Sequence, residues 1–340
     1  MKTFAHTVLA VALGAISQVT LAQGVNQGFN MSAPSAPERP AEVTAIPGII
    51  AANAKWEMIW RDIKTADGIV GTPDGGVIFA QEQTDTIRKL DWKNRESVYV
   101  KDTHGTGAVS VDSQGRLFAV ERTCTDPGKH MPDCAERTKV AILKPSPKVL
   151  ADKFADGGTL GRVNDIVADG RGGAYFTSTG VYYVNPQGKV STVADKDIRT
   201  NGVILSANGK RLFTTNGGTI VAFDVNADGS TKNRRDFGTL DGDTGGDGMA
   251  IDNAGRLYVT ASKGVHVLSK DGKHIGLIPT PRAPISLTFS GPNKKTLYVA
   301  MMGAYGPDGK PWNVPQGVRN TAMTMYRIPM LAQGFAGRPK

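Results

Sequence analysis

Cysteine is almost absent from this 340-residue chain: only Cys124 and Cys134 occur, both in ERTCTDPGKHMPDCAER. Two thiols and the intervening His130 fall short of the four ligands that a closed zinc site takes. In an oxidising compartment the simplest reading is a disulfide between Cys124 and Cys134 that staples a short loop. Histidine is also sparse, and His104, His130, His266 and His274 show no metalloprotease spacing. There is no Gly-x-Ser-x-Gly elbow, and the glycine pairs fall inside hairpins rather than ahead of helices, so neither a serine nucleophile nor a phosphate-binding loop is indicated. DVNADGSTKNRR (224–235) opens like a calcium-binding EF-hand loop, but its twelfth position is Arg235 instead of Glu, and it reads as a hairpin turn between outer strands. Hardly any stretch of ten residues keeps a 3.6-residue apolar period through the 41 glycines and 19 prolines, which disfavours an α/β architecture. The charge is one-sided but diffuse: the full chain carries a net charge of +9, and its longest basic cluster is only KNRR (232–235). No basic stripe interleaved with aromatics appears, so nucleic-acid binding is not expected.

A long apolar run occurs only at the start. Lys2 precedes VLAVALGAI, and TLA leads into Gln23. The run is shorter than the roughly 20 residues a membrane helix needs, so residues 1–22 read as a cleaved secretory signal peptide. The expectation is a periplasmic or secreted protein with no membrane span once the signal is removed. QGVNQGFNMSAPSAPERPAEV follows, rich in Pro, Ser, Gly and Asn, and 23–45 reads as a disordered linker. Residues 46–340 then form one large domain.

Within that domain one phrase recurs six times: DGIVGTPDGGVIFA (67–80), TGAVSVDSQGRLFA (106–119), NDIVADGRGGAYFT (164–177), NGVILSANGKRLFT (201–214), DGMAIDNAGRLYVT (247–260) and SLTFSGPNKKTLYVA (286–300). Each copy holds a polar residue, an apolar strand, a turn of Gly, Asn or Asp, and a second strand with an aromatic, which is the pattern of a β-hairpin. The aromatics Phe79, Phe118, Phe176, Phe213, Tyr258 and Tyr298 are spaced by 39, 58, 37, 45 and 40 residues. Propeller blades repeat at roughly 40 to 50 residues. The predicted fold is therefore all-β, a six-bladed β-propeller of four-stranded antiparallel blades, with the cysteine loop inserted in one blade. KWEMIW (55–60) and MTMYRIPM (323–330) are placed for one to complete a blade begun by the other, closing the ring.

The polar residue heading each inner strand is Asp67, Thr106, Asn164, Asn201, Asp247 or Ser286. In a propeller these six positions ring the mouth of the central channel. Any one Asx-Gly step is ordinary turn punctuation. Four at one phase of a repeat are different, because carboxylates crowded around a channel repel one another unless a cation neutralises them. Two carboxylates and two amide oxygens make an all-oxygen set suited to a hard cation, with calcium favoured over zinc and magnesium or manganese behind it.

GRVNDIVADGRGGAYFTS, NGVILSANGKRLF and GGDGMAIDNAGRLYVT, in this order and spacing, resemble the gluconolactonase, senescence marker protein and luciferin-regenerating enzyme family over roughly residues 45–330. The resemblance implies a six-bladed propeller with a calcium ion in its channel, Asn164, Asn201 and Asp247 on ligand positions, and Arg162 where relatives contact substrate hydroxyls. The family's first-blade Glu-Gly-Pro is replaced by ADGI, so Asp67 offers a carboxylate one methylene shorter. The Asp-Pro that many relatives carry after the third aromatic is replaced by YFTSTG (175–180). The implied chemistry is opening of a sugar lactone or related ester: the cation polarises the carbonyl, and Asp247 acts as base or nucleophile, with Asp165 as the alternative base. Two rivals share the same ion, a phosphotriesterase-like hydrolase and a non-enzymatic propeller in which calcium is structural.

Overall fold

The computed structural model describes residues 35–123, 135–312, 322–337 and 340; Cys124 and Cys134, residues 1–34 and the tip of the loop after Trp312 lie outside them. Among the described residues, twenty-four strands form six four-stranded antiparallel sheets arranged as blades of a propeller. Blade one comprises β2 (Asp67–Gly71), β3 (Val77–Gln81), β4 (Thr86–Leu90) and β5 (Glu96–Lys101), and blade two comprises β6 (Thr106–Val111), β7 (Leu117–Glu121), β8 (Lys139–Lys144) and β9 (Lys148–Ala151). Blade three is built from β10 (Ile166–Ala168), β11 (Ala174–Thr177), β12 (Val181–Val184) and β13 (Val190–Ala194). Blade four has β14 (Val203–Leu205), β15 (Arg211–Asn216), β16 (Thr219–Val225) and β17 (Thr231–Thr239), and blade five has β18 (Gly246–Ile251), β19 (Leu257–Ala261), β20 (Gly264–Leu268) and β21 (His274–Pro279).

The sixth blade closes the ring. Its inner strands are β22 (Pro284–Ser290), β23 (Thr296–Met302) and β24 (Met323–Pro329), and its outermost strand is β1 (Glu57–Asp62) from the start of the domain. β1 pairs antiparallel with β24, from Glu57 opposite Arg327 to Asp62 opposite Met323. The two segments that the sequence left as partners are thus joined. The 224–235 stretch is the β16–β17 hairpin, as its turn residues suggested.

The repeated phrase works because its turn aspartates fold back on the backbone. Asp112 Oδ1 accepts from the amides of Gln114 and Arg116, each at 2.9 Å, while its other oxygen meets the Arg116 guanidinium at 2.6 Å. Asp252 repeats the arrangement with Ala254 and Arg256. Such side chain to backbone bonds fix a tight turn and hence the register of the strands it joins. Burial then falls from the channel outward: all seven residues of β22 are buried, whereas outermost β17 is mostly exposed and carries Lys232, Arg234 and Arg235. Charges on an edge strand keep it from pairing with another chain.

Six apolar clusters hold the ring, one between each pair of neighbouring blades. All six repeat aromatics are buried in second strands. Phe118 and Phe176 pack in the cluster between blades two and three, Phe213 in that between four and five, and Phe79 lies 4.9 Å from Trp60 across the closure. The aromatic in each copy is therefore the wedge between blades.

From residue 35 onward, part of the segment read as a disordered linker lies against the propeller. Arg39 donates to the Thr280 carbonyl at 2.8 Å, Arg282 donates to the Ala36 carbonyl at 2.6 Å, and Val43 is buried against blades five and six. Its composition gives it no core of its own, but these contacts with a preformed surface order it. Among the described residues, no helix is long and apolar enough to cross a membrane.

Candidate active site in the channel mouth

Inner strands from neighbouring blades nearly touch at the channel neck, and this explains the Asx-Gly steps. A Cβ on Gly202 would lie 2.1 Å from the Asp247 carbonyl oxygen, and one on Gly68 would lie 2.4 Å from the Ala108 backbone. The glycine lets the strands converge, and convergence brings the preceding side chains to one place.

Asp67, Asn164, Asn201 and Asp247 all sit at this end of the channel, each partly open to solvent. The Asn164 amide nitrogen donates to the Asn201 side-chain oxygen, joining blades three and four. Asp67 Oδ1 accepts from the Gly68 amide at 2.7 Å. Burial pushes the Asp247 carboxyl well above the usual carboxylate range, and repulsion from Asp67 and Asp165 adds to it. Asp67 is raised too, by burial first, with Arg122 pulling it back and Glu82 pushing it up. These mutual effects place the acids in one field. The other two strand heads are spent on the backbone: Thr106 donates to the Thr103 carbonyl at 2.7 Å, and the Ser286 hydroxyl accepts from the Ile69 amide at 3.1 Å.

Asp165 is placed differently from Asp247. Its carboxylate is buried, accepts from the Val203 amide at 3.0 Å and is bound by the Lys340 ammonium. Both of its oxygens are thereby engaged, one by the ammonium and the other by the amide. No described residue donates a hydrogen bond to the Asp247 carboxylate. Arg162 lies at the rim two residues before Asn164, partly exposed, with its carbonyl accepting from the Ser178 hydroxyl at 3.1 Å.

Three charged residues in the channel were not anticipated from the strand heads: Glu82, Arg122 and Lys340. Arg122 follows β7 and turns its guanidinium into the cage, 2.9 Å from Asn164 Oδ1, 3.1 Å from the Asn164 carbonyl and 3.4 Å from Asp67 Oδ2. Buried Glu82, just after β3, pairs with its other end. A signal for them was present. Charges stand three or four residues past the aromatic in the first two copies (Glu82, then Glu121 and Arg122), where the other four copies have Thr179, Asn216, Ala261 and Met301 at the three-residue position. Lys340 had no such signal, because it lies outside every copy of the repeat and 175 residues from Asp165.

The donor set fits a hard divalent cation. It is all oxygen, it comes from Asp67 and Asp247 in β2 and β18 and from Asn164 and Asn201 just ahead of β10 and β14, and one of its carboxylates, Asp247, is pressed by like charges with no hydrogen-bond donor to relieve it. Among the described residues there is no group of three or more His, Cys, Asp or Glu side chains placed to hold a metal ion.

Fold and site together define a six-bladed propeller with an oxygen-lined, negatively charged channel mouth. The sequence profile of the SMP-30/Gluconolactonase/LRE-like region matches residues 48–303, and the chain belongs to that family. It is 23% identical over 301 residues to a gluconolactonase of Zymomonas mobilis, a match covering 74% of this chain and 80% of that protein. A lactonase, drp35, of Staphylococcus saprophyticus is 27% identical over 263 residues, 71% of this chain and 77% of the relative. Among solved structures, a calcium-binding protein, regucalcin, of Agrobacterium tumefaciens superposes with a TM-score of 0.58 at 16% identity, covering 81% of this chain and 95% of that one.

Proposed function

We propose that the protein is an exported, divalent-cation-dependent lactonase that opens a sugar lactone at the mouth of the channel. The observation that carries this reading is the Asp247 carboxylate, raised by burial and by two neighbouring acids, beside an otherwise all-oxygen donor set. Gluconolactonase and lactonase activity in relatives supports the substrate class, and calcium binding by regucalcin supports the ion.

Asp67, Asn164, Asn201 and Asp247 would hold the cation. When bound, a hard divalent cation supplies Lewis-acid polarisation of the lactone carbonyl. Asp247 takes the proton of the attacking water, a role open to it only as a weakly coordinated ligand, because a tightly bound divalent cation depresses a carboxylate's pKa. Asp165, engaged by Lys340 and the Val203 amide, stands close enough to Asp247 to push its carboxyl up. Arg162 at the rim meets the hydroxyls of the sugar ring. Export follows from the leader, and the Cys124–Cys134 bridge from the oxidising compartment it implies.

The test is pH-stat hydrolysis of a panel of sugar and aliphatic lactones by the mature protein, with calcium added and after chelation. The expected result is acid release that chelation abolishes and calcium restores. No release from any lactone by calcium-loaded protein overturns the reading in favour of another ester or a binding propeller. N-terminal sequencing of the exported protein, expected to begin at Gln23, tests the leader.

A further inference from the structure

Arg122 stands among the donors that the proposed cation would use. Its side chain is 1% exposed, and the partners of its guanidinium come from the blades on either side of its own, blades one and three. Glu82 of blade one anchors one guanidinium nitrogen; the Asn164 side-chain oxygen, the Asn164 carbonyl and Asp67 Oδ2 meet another; and Nε lies 3.2 Å from the Val163 carbonyl. Two of the four donor side chains, Asn164 and Asp67, are therefore already engaged by a positive charge.

The fold makes room for this insertion. A Cβ on Gly107, the second residue of β6, would lie 2.0 Å from both Cζ and Nε of Arg122. At the corresponding place in blades one and four the glycine faces a neighbouring strand's backbone; here it faces the guanidinium. The Arg122 backbone is tied down as well, its amide donating to the Gly105 carbonyl at 3.1 Å. Thus a deleted side chain, a buried anchor and a fixed backbone all aim one cation into the cage.

Resting on the cation reading above, we propose that Arg122 is an internal counter-ion that a divalent cation must displace from Asn164 and Asp67, so that it holds the donor set together without metal and sets a ceiling on metal affinity. Among the described residues, four carboxylates (Asp67, Glu82, Asp165 and Asp247) share this space with two buried cations, Arg122 and Lys340. Removing one of those cations leaves the acids less compensated, which raises attraction for an added ion and weakens the metal-free fold. An arginine that instead served the ligands by orienting them would have the opposite effect on affinity.

The experiment is calcium titration calorimetry on chelator-stripped full-length mature protein, with thermal unfolding in parallel, for wild type, Arg122→Gln and Gly107→Ala. Gly107→Ala keeps every charge but crowds the guanidinium out of the channel. The expected result is calcium binding tighter by tenfold or more in Arg122→Gln, a shift in the same direction in Gly107→Ala, and a lower metal-free melting temperature with a larger rise on adding calcium in Arg122→Gln. If wild type binds calcium and Arg122→Gln binds equally or more weakly, the counter-ion role is overturned while the cation reading survives. If neither wild type nor Arg122→Gln binds a divalent cation, the cation reading falls and this inference with it. An unchanged calcium affinity with a raised KM in Arg122→Gln also overturns it, assigning the guanidinium to substrate.

Discussion

The Lys340 ammonium is bound to the Asp165 carboxylate inside the channel, two groups 175 residues apart that are each largely buried. The Lys340 carbonyl in turn accepts from the Ser110 hydroxyl at 2.9 Å, and that hydroxyl also accepts from the Ala168 amide at 2.9 Å, so the pair is fastened to inner strands of two blades. An acid that looked, by position, like a candidate base is committed to an ion pair, and its neighbour Asp247 is left as the acid without a donor.

Breaking that pair by Lys340→Met strands a buried charge and is expected to cost about 3–5 kcal/mol of stability. The double variant Lys340→Met/Asp165→Asn, which removes both charges, is expected to recover most of the loss. Denaturant unfolding of the single and double variants measures both; equal losses in the two would argue that packing rather than charge holds the site.

Asp247→Ala is expected to reduce lactone hydrolysis on the order of 10²–10⁴-fold, the usual contribution of a general base. Melting should not fall in the chelated protein, because the substitution removes a carboxylate that burial and like charges disfavour. Steady-state kinetics beside thermal unfolding separates the two effects, and turnover near the wild-type rate would remove Asp247 from the mechanism.

Phe176→Ala opens the wedge between blades two and three and is expected to destabilise by about 3–5 kcal/mol. Trp60→Ala should cost a similar amount at the ring closure, where the indole packs on Phe79. Equilibrium unfolding in urea reads both, and a cost below about 1 kcal/mol at either position would show that the interface repacks without its aromatic.

A pH dependence arises on blade five, away from the channel. The His266 ring is buried, with Nε2 2.8 Å from Asp243 Oδ2 and Nδ1 3.0 Å from His274 Nε2, while His274 Nδ1 lies 3.2 Å from Asp241. Burial lowers the His266 pKa, outweighing the upward pull of Asp243. The unfolded chain takes up a proton near pH 6.5 while the folded chain lags, so this group's contribution to stability is full above about pH 6.5 and declines as pH falls toward the folded value. Asp243 is pushed up by burial but brought below its ordinary value by hydrogen bonds from Ser262 and His266, so its own contribution is lost only in more acid solution. His266→Gln is expected to be less stable at pH 8 and to show a shallower decline between pH 7 and pH 5. Denaturant midpoints across that range check it, and an unchanged slope would assign the decline to other groups.

The six copies, their turns and the aromatic wedges were readable because each depends on local rules: alternation within a strand, Asx and Gly at a turn, one aromatic per hairpin. The four strand heads could be aligned for the same reason, by counting back from Phe79, Phe176, Phe213 and Tyr258. Residues 35–45 escaped that reading. Their order comes from Arg39, Arg282 and Val43 meeting blades five and six, and composition holds no record of such contacts.

What the sequence by itself determined, then, is the repeating hairpin and the level at which its polar heads stand, since period and turn chemistry act over a dozen residues. Only the closed ring decided which charges share the channel. Arg122 reaches Asn164 and Asp67 because Gly107 leaves space for it, and Lys340 meets Asp165 while its carbonyl is held by Ser110 of β6. Electrostatic pairing in a low-dielectric channel depends on distance through space, which separation along the chain does not encode.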